Sequence, residues 1–307
     1  MASWNQLLNE IEQQPDDQAR IKWLITKQQE ALNAISQRRG NRNVIFYASA
    51  FLQKPNAHPF SLQMTHEEIN GFMSVMYAMD WSKGLTLLLH TPGGVTNAVE
   101  TIVEYLTTKF QNFEVIIPTF AMSAGTMLSL ASDNIIMGRQ SQLGPIDPQM
   151  PISGRLVSAR AIVDQFEQAK KDILGDLNLA HVWAPILQSL GPALLQEAQN
   201  ALSYGETMVA KWLARRMFLK SPSPQSLADA TAAYFNNASI HKSHGRRIDR
   251  NEARLQNLVV QDLEDDQTLQ DHVLTSYHLV TIAFEKSPAV KVLISNYNRM
   301  WVKNQSN

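Results

Sequence analysis

The 307-residue sequence contains no cysteine. Disulfides, thiolate nucleophiles and cysteine-based zinc or iron–sulfur sites are therefore excluded. No stretch approaches the roughly 20 apolar residues of a membrane-spanning helix, so we expect no stable membrane insertion. The net charge of −1 provides no general attraction to nucleic acid. The N-terminus carries Glu10 and lacks the apolar run of a secretory signal, and we therefore expect a cytoplasmic protein.

Three regions of the chain differ in sequence pattern. Residues 1–40 have apolar positions at helical spacing, which predicts a helical N-terminal arm. Residues 41–262 are richer in apolar runs and are expected to form the main domain. Residues 263–307 are predicted to be a C-terminal helical extension, with helix running to about residue 302. The arm and the extension are natural candidates for contacts between subunits.

Strands and helices alternate through the first half of the main domain. The run GLTLLLH at 84–90 is continuously apolar, as expected of a strand buried on both faces. EVIIPTFA at 114–121 is the next predicted strand, and each of the two is followed by a helical pattern. This alternation indicates an α/β fold with a largely parallel sheet.

Two junctions between a strand and the following helix attract attention. Gly93 and Gly94 follow the first strand in the run HTPGG, and Ser123 follows the second in AMSAG. Alone, paired glycines usually form a turn, and a serine near a helix start usually caps it. On consecutive strands, however, the glycine loop can offer backbone N–H groups to a carbonyl that the serine attacks. Acyl transfer needs this combination of a nucleophile and an oxyanion hole.

Three segments together resemble a known family. TPGGVTNAVETIVEYL, FAMSAGTMLSLASDNIIMG and SQLGPIDPQ are similar to the serine dehydrogenase proteinase family, which is related to the Clp protease proteolytic subunit and to signal peptide peptidase A. The resemblance covers roughly residues 43 to 260. It implies a Clp/crotonase-type α/β fold of repeated ββα units, serine peptidase activity on peptides or unfolded proteins, and a homo-oligomer.

The resemblance also implies roles for individual residues. Ser123 matches the family's nucleophile, and Gly93 matches the oxyanion-hole glycine, with Gly94 beside it. Ala124 follows the nucleophile and is expected to supply the second N–H. The segment lacks the Gly-x-Ser-x-Gly spacing of an α/β-hydrolase, which argues against that fold.

The general base remains open at this point. Clp-type enzymes have a histidine about 25 residues after the serine, but Asp147 occupies that neighbourhood here. One interpretation exchanges the two partners, with His244 as the base and Asp147 as its orienting carboxylate; a triad is defined by its geometry and not by sequence order. A second uses Lys170 or Lys171 as a lysine base. A third has another arrangement or no competent base.

Other functions compete with a peptidase. A crotonase-like acyl-CoA enzyme would build a similar oxyanion hole without needing Ser123, and a chain that had lost its base would be an inactive scaffold or binding protein. His241 and His244 have helical metal-ligand spacing but lack an obvious third ligand, so no metal is expected. No glycine-rich phosphate loop occurs, and we predict no cofactor.

Overall fold

The computed structural model describes residues 3–152 and 154–305. These form two compact units, one made of residues 1–143 and 247–307 and the other of residues 144–246. The strands, in chain order, are β1 Asn43–Ser49, β2 Leu85–His90, β3 Phe113–Ile117, β4 Phe120–Ala121, β5 Asn134–Met137, β6 Gln142–Leu143, β7 Gln149–Ile152, β8 Arg155–Ser158, β9 Val260–Asp262, β10 Ala289–Ser295 and β11 Arg299–Asn304.

The helices, in chain order, are α1 Trp4–Glu12, α2 Asp17–Arg38, α3 Pro59–Leu62, α4 Glu68–Met76, α5 Thr96–Lys109, α6 Ala124–Leu130, α7 Ala159–Gly175, α8 Ala180–Leu190, α9 Leu194–Arg215, α10 Pro224–Phe235, α11 Ala238–His241, α12 Arg250–Leu255 and α13 Gln267–Glu285. Helices alternate with strands between β1 and β5, whereas α7 to α12 follow one another without a strand between them. Short 3-10 turns lie at Trp81–Lys83, Leu177–Leu179 and Leu263–Asp265.

The first unit is built on a seven-stranded sheet. Its order is β11-β10-β1-β2-β3-β5-β9. Within this order, neighbouring strands are parallel from β1 through β2, β3 and β5 to β9. Every residue of β1, β2 and β3 is buried, as the continuous apolar runs predict for strands covered on both faces. The parallel arrangement brings the C-terminal ends of β2 and β3 to one edge, where the two junctions of interest lie.

The N-terminal arm forms the two predicted helices, α1 and α2, with Asp16 capping α2. Leu7 and Ile11 of α1 pack with Leu279 and Ile282 of α13 in a buried apolar cluster. The arm therefore packs against the body of its own unit. The domain boundaries predicted at residues 40 and 262 stay a prediction.

The prediction of helix to about residue 302 is wrong beyond α13. The helix ends at Glu285, and β10 and β11 follow as strands of the main sheet. Pro288 lacks the N–H that a continuing helix needs, and the run AVKVLIS then pairs antiparallel with β1. Because β10 is buried, tertiary pairing decided its conformation. A helical period alone did not reveal that pairing.

The second unit consists of a hairpin and helices. Strands β7 and β8 pair antiparallel, and helices α7 to α11 follow them. Its apolar centre joins the hairpin to α7 and α9, with Ala159, Ile162, Ala198 and Leu202 buried. The unit begins at Gly144, immediately before the segment that contains Asp147.

Candidate active site

Ser123 lies between β4 and α6 in a backbone conformation that side chains rarely adopt. Its φ is 51° and its ψ is −117°, which lies outside the small left-handed region open to residues with a β-carbon. Its side chain forms no cap hydrogen bond with α6, so the interpretation as a simple N-cap does not apply. The side chain is partly exposed and is therefore accessible from solvent.

The glycine loop after β2 is held directly against this serine. Thr91 donates its N–H to the Phe120 carbonyl at 2.9 Å, and Met122 donates its N–H to the Thr91 carbonyl at 3.1 Å. Gly93 has a φ of +109°, and a β-carbon added to it would lie 2.7 Å from the Ser123 β-carbon. Only glycine fits this approach, so the structure brings the two predicted junctions together.

Three backbone N–H groups of these two junctions, those of Gly93, Gly94 and Ala124, were predicted to form the oxyanion hole. The Gly93 N–H donates to the Thr91 hydroxyl at 3.1 Å. The N–H groups of Gly94 and Ala124 find no acceptor among the residues that the structure describes. Because the Gly93 carbonyl accepts from Met64 at 2.8 Å, the trans peptide turns the Gly94 N–H away from Met64.

The second unit contains the predicted histidine and aspartate as a pair. His244 Nδ1 lies 2.7 Å from Asp147 Oδ1, and Gln149 donates to the other carboxylate oxygen at 2.7 Å. The Asp147 side chain is 2% exposed and the His244 side chain 28%. A carboxylate only accepts hydrogen bonds, so Nδ1 is the donor of this bond, and in a neutral imidazole Nε2 is then the nitrogen with the lone pair. This is the tautomer that a general base requires.

A cavity of about 290 Å³ adjoins this pair within the second unit. Ser158, Arg160 and Lys242 line it together with His244 and Asp147. A small group can therefore reach the pair of His244 and Asp147 through this cavity.

Known proteins provide the comparison. The family of ClpP-like SDH-type serine proteinases matches residues 13–184, more than half of the chain. The chain belongs to this family. Ser123, Gly93 and Asp147 lie within the matched residues, whereas His244 lies outside them. The α/β architecture with its central parallel sheet is consistent with the ClpP-like fold of the family.

The chain is similar to two curated proteins of Methanocaldococcus jannaschii. Uncharacterized protein MJ0137 is 34% identical over 137 residues, which are 45% of this chain and 44% of that protein. Uncharacterized protein MJ1495 is 31% identical over 134 residues, 42% of this chain and 44% of that protein. The chain therefore spans less than half the length of the curated relatives it matches.

One solved structure is similar in part. It is a mutant of 1510-N, a membrane-bound stomatin-specific protease, with 17% sequence identity and a TM-score of 0.38. The match covers 68% of this chain and 79% of that one. Within residues 3–152 and 154–305 of the present chain, every helix is too short or too polar to cross a membrane.

The lysines considered as alternative bases lie on α7. The side chains of Lys170 and Lys171 are both exposed. A lysine base needs burial or a neighbouring cation to lower its pKa near neutrality. Because Lys170 and Lys171 are exposed, their surroundings favour a general base less than the surroundings of His244 do.

The two histidines with metal-ligand spacing are engaged otherwise. His241 Nε2 lies 2.8 Å from the Tyr234 carbonyl, and Arg246 approaches its Nδ1 at 3.0 Å. His244 is bonded to Asp147. In the described part of the chain, no group of three or more histidine, aspartate and glutamate side chains is arranged to hold a metal ion.

Sequence reasoning did not single out His90, the last residue of β2. Burial lowers the pKa of His90 to about 3. Its Nδ1 bonds the Thr119 hydroxyl at 2.8 Å, and the rings of Phe51, Phe120 and Tyr277 surround it. Its Nε2 has no partner in the ranges the structure describes. An apolar run ending in histidine was the only sequence signal of this environment.

Proposed function

We propose that this chain hydrolyses peptide bonds through an acyl-enzyme on Ser123. The Ser123 hydroxyl attacks the peptide carbonyl carbon while His244 Nε2 accepts its proton, and Asp147 orients the imidazole and stabilises its charge. The carbonyl oxygen becomes an anion that accepts hydrogen bonds from backbone N–H groups of the glycine loop and of Ala124. The C–N bond then breaks, and the amine leaves with the proton from His244.

Water completes the reaction by the same steps. It attacks the ester carbonyl on Ser123, gives one proton to His244 Nε2 and releases the new carboxylic acid as the Ser123 hydroxyl is restored. One peptide bond and one water are consumed in each cycle. The proposal needs no cofactor or metal.

The observation that carries the proposal is the backbone of Ser123. A non-glycine residue at φ 51° and ψ −117° stores on the order of 1–3 kcal/mol, and such strain clusters at active sites. The strain holds a partly exposed hydroxyl at a strand-to-helix turn, as the nucleophiles of other serine hydrolases are held. Gly93 packs against Ser123. The nucleophile therefore has the glycine loop, with its backbone N–H groups, as a neighbour.

The choice of His244 as base is supported by its bond to a buried carboxylate. A bond from Nδ1 to Asp147 favours the neutral tautomer with its lone pair on Nε2, and the His244 side chain is partly exposed. Assembly into a homo-oligomer, a preference for unfolded proteins and a cytoplasmic location stay predictions that the family resemblance and the sequence suggest.

A serine-directed fluorophosphonate probe and casein cleavage test the proposal. Wild type is expected to be labelled and to cleave casein, and Ser123→Ala to do neither. Ser239→Ala is the matched control, because Ser239 is an exposed serine lining the cavity beside His244; it should keep both activities.

Equal labelling and cleavage by wild type and Ser123→Ala would show that Ser123 is not the nucleophile. Hydratase or thioesterase turnover of an acyl-CoA by Ser123→Ala at the wild-type rate would favour the crotonase-like alternative. A folded wild type without labelling or turnover would favour the inactive scaffold.

A further inference from the structure

A fully buried ion pair lies in the core of the first unit. Lys291 of β10 binds Glu68 of α4, and their side chains are 1% and 0% exposed. Desolvating two charges costs about as much as their attraction returns, so a buried pair is weak evidence of stabilisation. Both partners also hold other groups, and those groups lead to the glycine loop.

The first route runs through the backbone next to Met64. Lys291 Nζ donates to the Gln63 carbonyl at 3.0 Å, and Glu68 Oε2 accepts from the Thr65 N–H at 2.6 Å and from its hydroxyl at 2.9 Å. The ion pair thus fixes the residues on both sides of Met64.

Met64 in turn fixes the glycine loop. Its N–H donates to the Gly93 carbonyl, and its carbonyl accepts from the Val95 N–H, each at 2.8 Å. The Gln63 carbonyl and the Met64 N–H belong to one peptide group. Lys291 and Gly93 are therefore bonded to opposite sides of the same rigid plane.

The second route runs through side chains. Tyr47, 1% exposed, has its hydroxyl 3.5 Å from Glu68 Oε1 and close to the Thr91 hydroxyl. The Thr91 hydroxyl accepts the Gly93 N–H at 3.1 Å. The N–H and the carbonyl of Gly93 are thus each tied back to the same ion pair.

We propose that the Lys291–Glu68 pair is a positioning device that holds Gly93 in register with Ser123. Gly93 has a φ of +109° and no side chain to restrain it. Glycine adopts positive and negative φ about equally readily, so this conformation has to be held by its neighbours. An oxyanion hole works because its donors are fixed in advance, and a displacement of about 1 Å costs about 100-fold in rate. The catalytic part of this inference rests on the proposed function; the structural part does not.

The structural part is measured by amide hydrogen exchange at Gly93 in the full chain. The double variant Glu68→Gln with Lys291→Met removes both charges at similar volume. We expect it to stay folded, because replacing both members of a buried pair is often neutral, and we expect exchange at Gly93 to rise about tenfold or more.

A matched control lies next to this pair. Lys303 of β11 binds Glu67 at 2.8 Å, joining α4 to the same sheet, but both side chains are partly exposed. Glu67→Gln with Lys303→Met should leave exchange at Gly93 unchanged. Equal exchange rates in the two double variants would overturn the inference.

The catalytic part is measured with Thr91. Thr91→Val removes the hydroxyl and keeps the methyl group that packs on Gly125, whereas Thr91→Ser keeps the hydroxyl. We expect kcat of Thr91→Val to fall about tenfold or more with KM within about twofold, and Thr91→Ser to recover most of kcat. Equal losses in kcat for the two variants would contradict positioning by the hydroxyl.

The two parts separate this inference from the proposed function. If wild type lacks Ser123-dependent cleavage, the proposed function fails, and exchange at Gly93 still decides whether the pair holds the loop. If cleavage depends on Ser123 but neither exchange nor kcat responds to the Lys291–Glu68 variant, the inference is wrong. Should that variant not fold, faster Gly93 exchange in Thr91→Val than in Thr91→Ser supports the anchor, and equal exchange overturns it.

Discussion

Each of the two units places one histidine beside a residue of the proposed machinery, and the two surroundings are opposite. His90 in the first unit directly precedes the glycine loop, yet it is fully buried among aromatic rings and its Nδ1 bonds a neutral hydroxyl. His244 in the second unit is partly exposed and bonds the carboxylate of Asp147. Proximity to the loop in sequence therefore points to His90, whose surroundings suit a general base less well than those of His244.

The difference shows what a catalytic histidine needs. A general base must accept a proton and carry a positive charge during the reaction. Burial without an anion makes that charge costly at His90, which is why its pKa falls to about 3. At His244 a carboxylate, that of Asp147, lies 2.7 Å from Nδ1 instead of a hydroxyl. In the proposed mechanism the first unit supplies the nucleophile and the backbone donors, and the second supplies the proton acceptor.

The largest effect is expected when the proposed general base is removed. His244→Gln should lower kcat about 10⁴-fold with little change in stability, because the glutamine keeps a hydrogen-bonding side chain but cannot take up the proton. The measurement is casein or peptide cleavage, with the unfolding midpoint recorded beside it. Asp147→Asn should cause a similar loss by stabilising the wrong tautomer.

The exposed lysines provide the control for this prediction. Lys170→Met with Lys171→Met should keep kcat within about twofold of wild type, since both side chains are exposed and the proposed mechanism gives them no part. Loss of cleavage in the lysine variant and its retention in His244→Gln would assign the base to α7 instead.

A second, smaller effect tests the contribution of the first unit. Gly93→Ala should lower kcat about 10²- to 10³-fold, because its β-carbon would lie 2.7 Å from that of Ser123 and would displace an N–H donor. Gly40→Ala is the matched control. Gly40 also has a positive φ, +73°, but no atom lies within 4 Å of an added β-carbon.

Both glycine variants carry backbone strain of about 1 kcal/mol or more, but only in Gly93→Ala does the methyl group also meet other atoms. Equal kcat in both would mean that Gly93 serves the packing of the fold rather than the site. The unfolding free energy, measured by urea denaturation, reports the shared strain separately.

Much of this arrangement follows from the sequence. Continuous apolar runs followed by helical patterns predicted the parallel strands, and parallel strands bring their C-terminal ends to one edge. That rule alone predicts Gly93 and Ser123 near each other. The hydrogen bond between His244 and Asp147 is compatible with the exchanged triad, but almost 100 residues separate the two, and no local pattern announces such a contact. Their catalytic roles stay a prediction.

The features that the sequence did not predict depend on pairing between strands that are distant in the sequence. Strand β10 was predicted as a continuation of helix α13. The Thr-x-x-Glu spacing of Thr65 and Glu68 is that of a capping box; Glu68 does bind the Thr65 N–H, but α4 begins at Glu68 itself and its carboxylate also holds Lys291. Burial of a charge follows from strand pairing that local periodicity does not contain.

The smallest expected effect is a change in the pH dependence of the unfolding free energy, caused by the buried His90. The unfolded chain binds a proton at this histidine below its ordinary pKa of 6.5, whereas the folded protein excludes it until about pH 3. The unfolding free energy should therefore fall as the pH is lowered through this window, by at most about 1.4 kcal/mol per pH unit. From pH 6 to 4.5, wild type should lose about 2 kcal/mol more than His90→Gln, which has no such proton to bind. Urea denaturation at several pH values measures both, and parallel curves would mean that His90 accepts its proton in the folded state and that burial does not separate the two histidines.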